Sequence, residues 1–155
     1  MKKLLVSAAL IALLASASAQ DSMHVILMKS SDGLTWKDNT NLPKGSQFAV
    51  LQEPSPTNGD VVIQRVKFPP NYKAPPHTHP SAENITVISG RIGLGSGEKF
   101  EAKEADMATA GAFYSHPANH AHYIWTGNEG AMIQVQSSGQ RGITYINPAD
   151  DPRKK

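Results

Sequence analysis

Two short stretches decide how this chain can fold: His77-Thr78-His79-Pro80-Ser81-Ala82-Glu83 and His120-Ala121-His122-Tyr123. Each stretch contains two histidines separated by one residue, and five of the six histidines of the chain lie between positions 77 and 122. On an extended strand, residues i and i+2 project from the same face, so each pair can direct both imidazoles to one point. The corner that precedes Glu83 can return its carboxylate to that point. An antiparallel barrel would bring the two stretches together, and the pattern therefore predicts a metal site.

The chain around these stretches alternates between short apolar runs and clusters of turn residues. Nine runs of four to eight residues are rich in β-branched and aromatic residues, which indicates strands. The predicted strands span residues 23–28, 47–52, 61–68, 84–89, 91–94, 112–116, 120–126, 131–136 and 143–146. Clusters of Gly, Pro and Asn separate them. Short strands at this spacing predict an all-β sandwich or barrel.

Composition limits the classes of protein to consider. The 155 residues allow one domain, and 39% hydrophobic with 18% charged residues is typical of a globular chain. Twelve Gly and eleven Pro are too many turn formers for a helical bundle. The absence of Cys excludes disulfides, thiolate catalysis, iron–sulfur clusters and cysteine-based zinc sites.

The N-terminus has the pattern of a secretory signal peptide. Met1-Lys2-Lys3 precedes an apolar stretch over 4–14 and small residues over 15–19, which predicts cleavage after Ala19. An apolar stretch of 11 residues is shorter than the about 20 that a transmembrane helix needs. Cleavage would leave 13 basic and 13 acidic residues, without the basic surface of a nucleic-acid binder. We therefore expect a secreted or periplasmic protein with no membrane span after cleavage and no nucleic-acid partner; an uncleaved anchor is the alternative.

The same patterns predict the organisation of the chain. We expect a signal peptide over 1–19, an N-terminal arm with an added strand over 20–46, a β-barrel domain over 47–146 and a C-terminal tail over 147–155.

The two histidine-containing stretches resemble the two motifs of the cupin superfamily. The first motif runs Gly, five residues, His-x-His, three or four residues, Glu, six residues, Gly. This chain places Asn71, His77, His79, Glu83 and Gly90 at those positions. The second motif runs Gly, five residues, Pro-x-Gly, two residues, His, three residues, Asn. This chain places Gly111, Pro117, Asn119, His122 and Thr126 at those positions.

The resemblance covers about residues 47–146 and implies a cupin-type antiparallel β-barrel, also called a double-stranded β-helix or jelly roll. Asn71 and Asn119 replace motif glycines, and Asn is the non-glycine residue that best tolerates the left-handed conformation of a turn. Thr126 replaces a motif Asn that binds no metal. Proteins of this type often pair through barrel edges, so a homodimer is expected.

The resemblance also implies the ligands of one divalent transition metal. They are His77, His79, Glu83 and His122. Three imidazoles and a carboxylate suit Fe, Mn, Ni, Cu, Co or Zn and do not select among them. The alternatives are four polar residues on unrelated strand surfaces, or a barrel that has lost its metal.

Other residues near the motifs are candidates for lesser roles. His120 shares a predicted strand face with His122, so it is a candidate catalytic base, a fifth ligand or a hydrogen-bond donor to a ligand; an exposed loop position is the alternative. His116 is expected to be structural or exposed. Arg65 or Lys67 would bind an anionic substrate if it pointed inward, but a solvated face is the preferred interpretation.

Steps of two from Glu83 and His122 select Ile85, Val87 and Ile124, which would line an apolar substrate pocket, and Phe113 lies close by in sequence. The candidates for substrate binding are Ile85, Val87, Phe113 and Ile124. For Phe113 the ordinary role is a place in the barrel core or in a dimer interface.

The cupin fold alone does not determine function. The leading hypothesis is a metal-dependent enzyme of dioxygenase type that acts on a small organic molecule; an isomerase or a lyase is less favoured. The second hypothesis is a non-enzymatic periplasmic module that binds a small ligand or senses metal, similar to the cupin-like half of zinc-dependent anti-sigma factors. The signal peptide and the missing helical half argue against a transcriptional role. A purely structural metal is the third possibility.

Overall fold

The computed structural model describes residues 30–56, 58–103 and 106–155. The predicted signal peptide and the predicted strand over 23–28 lie outside the described residues. Nine strands are assigned in these ranges, and every pair among them is antiparallel. They are β1 Lys37–Asp38, β2 Gln47–Gln52, β3 Val61–Phe68, β4 Lys73–Thr78, β5 Glu83–Ser96, β6 Met107–Thr109, β7 Phe113–His116, β8 His122–Ser138 and β9 Thr144–Tyr145. Across the same ranges, no helix is long and apolar enough to span a membrane.

The longest strand, β8, connects the sheet. Its second half pairs with β3 from Phe68↔Ala131 to Val61↔Ser138, while its first half pairs with β4 through His77↔His122. Strand β5 follows β8 along nearly its whole length, from Glu83↔Ser137 to Ser96↔His122. One curled sheet of nine strands results within the described residues. The all-β antiparallel architecture predicted from the sequence is confirmed.

Strands β5 and β8 are each longer than the sequence predicted, because glycines bend them without ending them. Gly90 and Gly130 have φ of 74° and 70°, and the β5–β8 register shifts between Gly90 and Ile92. A Cβ at Gly130 would lie 2.6 Å from the Phe68 carbonyl oxygen, and one at Gly90 would collide with the Gly130 carbonyl oxygen. The predicted strands 84–89 and 91–94 are therefore one strand, and so are 120–126 and 131–136.

Strand β4 was missed because Pro75 and Pro76 are ordinary strand breakers. A proline has no N–H to donate to the sheet, so it is tolerated where regular pairing is interrupted. Pairing of β4 with β8 is irregular between Ala74 and His77, which spans the two prolines. The strand then resumes regular pairing at His77.

Apolar side chains from the two halves of the sheet form one core. Its most deeply buried members include Ile85, Val87, Ile92 and Ile133, each 2% exposed or less. Beside this core lies a cavity of about 300 Å³ that opens to solvent. The sheet thus encloses a pocket of the size that small ligands occupy.

The segments before and after the barrel pack against it. In the N-terminal arm, β1 extends the sheet by pairing with β2. In the C-terminal tail, Pro148–Asp150 and Pro152–Lys154 form two short 3-10 turns. Arg153 donates to the Asp151 carboxylate at 2.7 and 2.8 Å and to the Ile143 carbonyl oxygen at 3.2 Å. The tail therefore supports the segment that enters β9.

Both asparagines that replace motif glycines adopt the left-handed conformation that the sequence analysis expected, with φ of 56° at Asn71 and 59° at Asn119. We predict that Asn119→Ala lowers the free energy of unfolding by about 1 kcal/mol, because a Cβ without a local hydrogen-bonding group is penalised there. The Asn119→Gly variant should be at least as stable as the wild type. The same two substitutions at Asn71 should have the same effects on stability. Urea denaturation of the four variants checks this; equal stability of the Ala and Gly variants would contradict it.

A second prediction concerns stability at high pH. The Tyr72 hydroxyl donates to the Pro43 carbonyl oxygen at 2.7 Å, and burial raises the pKa of Tyr72 to about 12 although its bond to Ser46 lowers it. Between pH 10 and 12 the unfolded chain loses this proton while the folded chain keeps it, so stability falls as pH rises. We predict that Tyr72→Phe makes this fall less steep, measured by urea denaturation at pH 9 to 11.5. The slope does not vanish, because burial raises the pKa of Tyr145 as well.

Candidate metal centre

Three histidines predicted as ligands converge on one point. His77 lies on β4, His79 follows the end of that strand, and His122 begins β8 directly opposite His77. Each residue offers one ring nitrogen, and the three nitrogens lie within 4.8 Å of one another. All three histidines line the cavity. His77 and His122 are buried, with 1% and 2% exposure, whereas His79 is half-buried.

Backbone carbonyls orient all three imidazoles. Nδ1 of His77 lies 2.7 Å from the Pro75 carbonyl oxygen, and Nδ1 of His79 lies 2.6 Å from that of Gly142. Nδ1 of His122 makes a longer contact of 3.3 Å with the His120 carbonyl oxygen. A carbonyl oxygen can only accept, so Nδ1 carries the proton in each ring and Nε2 keeps its lone pair. This is the tautomer that binds a metal through Nε2.

The electrostatic surroundings keep two of these rings neutral. Burial lowers the pKa of His77 to about 4, against the opposing effect of its bond to Pro75. Burial, together with the neighbouring histidines, lowers the pKa of His122 to about 2. Both imidazoles are therefore neutral near pH 7, and only a neutral imidazole can bind a metal ion.

Glu83 places a carboxylate beside His79, at the edge of the three-histidine group. It is the first residue of β5, and its Oε2 lies 3.8 Å from Nε2 of His79. This separation is too long for a hydrogen bond. Two atoms that each bind one transition metal at about 2.1 Å lie about 3 to 4 Å apart. Burial raises the pKa of Glu83 and the nearby His79 lowers it, so a bound cation would strengthen the ionised form.

The four side chains lie in the wall of the cavity, and nine of the other 17 residues that line it are apolar. Its apolar residues are Leu42, Phe48, Val66, Phe68, Ile85, Ile124, Ile133, Val135 and Ile143. Two of the residues predicted to bind substrate, Ile85 and Ile124, are among them. Val87 is in the core beside the cavity and does not line it. The arrangement can hold a cation next to a small organic molecule.

Two residues predicted for the pocket are placed elsewhere. His120 is exposed, and its Nε2 contacts the Ser96 hydroxyl outside the cavity wall. Strand β8 begins only at His122, after a turn at Asn119, so the strand alternation does not extend back to His120. Phe113 is 63% exposed, because it lies on the outward face of β7. Neither side chain lines the cavity, and the catalytic role of His120 and the substrate-binding role of Phe113 stay predictions.

His116 is the residue near the site that the sequence analysis undervalued. It is 9% exposed, and its ring stacks on that of His122 with centroids 4.4 Å apart and an interplanar angle of 22°. It pairs with Glu83 across β5 and β7, so it contacts one predicted ligand and neighbours another in the sheet. Burial lowers its pKa, and its Nε2 finds no hydrogen-bond partner among the described residues. The alternation Tyr114-x-His116 on β7 was the available signal.

The two cations considered for substrate binding face away from the cavity. Gln64, Val66 and Phe68 line it, so Arg65 and Lys67 belong to the opposite face of β3. The Lys67 ammonium lies 3.9 Å from the centre of the Trp36 ring. The preferred interpretation of the sequence, an outward face, agrees with this placement.

Comparison with known sequences identifies relatives for most of the chain. A family model described as the ChrR cupin-like domain matches residues 24–139. Oxalate oxidases 2 and 1 of Hordeum vulgare are 28% and 29% identical to this chain over 128 residues, 75% of its length. The matches cover 56% and 62% of those two proteins. The chain thus spans about three fifths of the length of these curated relatives.

Comparison with solved structures gives the same barrel. The polyketide cyclase RemF from Streptomyces resistomycificus has a TM-score of 0.62 at 18% identity, over 83% of this chain and 92% of that one. An oxalate oxidase structure has a TM-score of 0.57 at 26% identity, over 83% of this chain and 67% of that one. The first likeness concerns the fold alone. Together with the family model, these similarities confirm the cupin-type barrel and the cupin resemblance inferred from the two motifs.

The stacking of His116 on His122 leads to a test of metal affinity. We predict that His116→Ala weakens binding of Zn²⁺ about tenfold, because the His122 ring loses the surface that fixes its orientation. His116→Phe keeps an aromatic face and should restore most of the affinity. Competition with a chromophoric chelator measures Zn²⁺ affinity, and melting temperatures identify any loss of fold. Wild-type affinity in a folded His116→Ala protein would show that the stacking has no such role.

Proposed function

We propose that this chain, which belongs to the ChrR cupin-like domain family, is a metal-dependent enzyme acting on a small organic molecule. His77, His79, Glu83 and His122 bind one divalent transition metal in this proposal. The leading reaction is an oxidation of dioxygenase type, and the similarity to oxalate oxidases favours an oxidoreductase over an isomerase or a lyase.

One observation carries the proposal. Three imidazoles direct ring nitrogens to one point, beside a carboxylate and in the wall of a cavity that opens to solvent, and burial keeps His77 and His122 neutral. Without a cation, such a group would bury lone pairs that have no donor, which is costly. A transition metal satisfies all of them, and the set of three nitrogens and one oxygen suits Fe, Mn, Co, Ni, Cu and Zn.

The residues of this chain have separate roles in the proposed enzyme. A bound metal supplies a Lewis acid or redox centre with positions left for small molecules. The carbonyl oxygens of Pro75 and Gly142 hold the imidazoles of His77 and His79 in the productive tautomer. The apolar wall, which includes Ile85 and Ile124, excludes water and packs against the organic part of the substrate.

A non-enzymatic role is the second candidate, and the family match favours it. The matching family is described as the ChrR cupin-like domain, and the sequence resembles the cupin-like half of zinc-dependent anti-sigma factors. The same ligands would then serve a module that binds metal or a small ligand. In that case the protein binds its ligand without turning it over. The two candidates share the metal and differ in catalysis.

The export and assembly of the protein are further parts of the proposal. We propose a signal peptide over 1–19, an arm with an added strand over 20–46, a barrel over 47–146 and a tail over 147–155, with the mature protein secreted or periplasmic. The homodimer stays a prediction, which light scattering of the purified protein checks.

Elemental analysis tests the metal site. We predict that protein purified without added metal or chelator holds about one transition-metal ion per chain. His77→Ala and His122→Ala should each lose it, because a buried ligand is removed. His120→Ala is the matched control, since this histidine lies outside the cluster, and it should keep its metal. Equal metal content in all four proteins, or none in the wild type after titration, would overturn the site.

Oxygen uptake tests the reaction. We predict that metal-loaded wild type consumes O₂ with at least one compound in a panel of small organic acids and alcohols, oxalate included, and that His122→Ala does not. Chelation should abolish the uptake, and return of the same metal should restore it. Equal O₂ consumption by wild type and His122→Ala with every compound would contradict the proposed oxygenase activity. The non-enzymatic binding role would then be the hypothesis that stands.

A further inference from the structure

The charged side chains of the cavity wall are few. Of the described residues that line it, Arg141 is the only lysine or arginine and Glu83 the only carboxylate. A divalent ion bound by Glu83 and three neutral histidines would keep one uncompensated positive charge. Arg141 adds a second positive charge to the same cavity. The net charge therefore favours an anionic occupant.

The backbone on both sides of Arg141 is held by the histidine motif. The Ser81 hydroxyl donates to the Gln140 carbonyl oxygen at 2.7 Å, and Nδ1 of His79 donates to that of Gly142 at 2.6 Å. The backbone carbonyls of both neighbours of Arg141 thus accept hydrogen bonds from side chains of the first motif. Little backbone freedom remains to be lost when its guanidinium takes a ligand, which favours binding.

The present partner of Arg141 lies outside the cavity wall. Its Nη1 is 3.4 Å from Oε2 of Glu53, and both side chains are 56% exposed. Exposed ion pairs of this kind are weak, so a ligand carboxylate can replace Glu53. The planar guanidinium suits a carboxylate because it can donate two parallel hydrogen bonds.

The apolar part of the cavity wall favours a ligand with an apolar body. Val66, Ile133 and Val135 contribute apolar surface, and the volume of about 300 Å³ is at the lower end for ligand pockets. A ligand without an apolar part would leave this surface in contact with water. A small acid with a hydrocarbon body would cover it.

We propose that Arg141 is the anion-binding residue at the mouth of this cavity, and that its ligand is a small organic carboxylate with an apolar body. Glu53 occupies the guanidinium when that ligand is absent. This inference rests on the proposed function, because it names the substrate class of the same site.

Calorimetry with hexanoate and its uncharged analogue hexanamide tests the proposal on metal-loaded and metal-free protein. Arg141→Gln should weaken hexanoate binding about tenfold and leave hexanamide unchanged. Glu53→Gln should tighten hexanoate binding about two- to fivefold, because the competing carboxylate is gone. Lys67→Gln is the matched control, since it removes a cation from the opposite face, and it should bind hexanoate as the wild type does.

The outcomes separate this proposal from the proposed function. Wild-type hexanoate affinity in Arg141→Gln overturns the role of Arg141, even where the protein holds its metal. Weaker hexanoate binding by Glu53→Gln overturns the proposal that Glu53 competes with the ligand for Arg141. Absence of metal in the wild type overturns the proposed function alone, because the comparison of wild type with Arg141→Gln is made equally on metal-free protein.

Discussion

The close approach of the β5 and β8 backbones at Gly90 and Gly130 is the constraint on which the rest of the structure depends. Side chains are excluded there, since a Cβ on either glycine would meet the carbonyl oxygen of a neighbouring strand. The two strands therefore bend together and continue. Each contributes one half to either side of the barrel, so the sheet curls around its own apolar face. The cavity and the histidine cluster exist because this curl brings β4, β5 and β8 to one place.

Backbone carbonyls at the site hold each predicted histidine ligand in the tautomer that leaves Nε2 available to a metal ion. A backbone carbonyl oxygen accepts a hydrogen bond from Nδ1–H of every predicted histidine ligand, and burial keeps His77 and His122 uncharged. The hydrogen bond between His79 and the Gly142 carbonyl oxygen also joins the histidine cluster to the segment that carries Arg141. The inner wall of the cavity and its mouth are thus built from the same few hydrogen bonds.

Sequence patterns predicted much of this arrangement. The proximity of His77, His79 and His122 and the turn asparagines followed from motif spacing, and β2 and β3 followed from alternation with the bounds that the structure has. The bends in β5 and β8 did not follow, because a glycine that bends a strand looks like one that ends it. His120 was misplaced since alternation was extended beyond the start of β8. Stacking of His116 on His122 joins residues from two strands, and spacing along one strand carries no information on such a contact.

The place of β8 in the chain also determines how the protein folds. Strands β3, β4 and β5 all take their main partner from residues 122–138, so none of them is paired across the barrel until that segment has been synthesised. Such distant pairing is typical of domains that fold over about milliseconds to seconds. His122 is the first residue of this last long strand. The step that closes the barrel is thus the step that completes the histidine cluster, and a metal ion present at that moment would favour the closed product over the open chain.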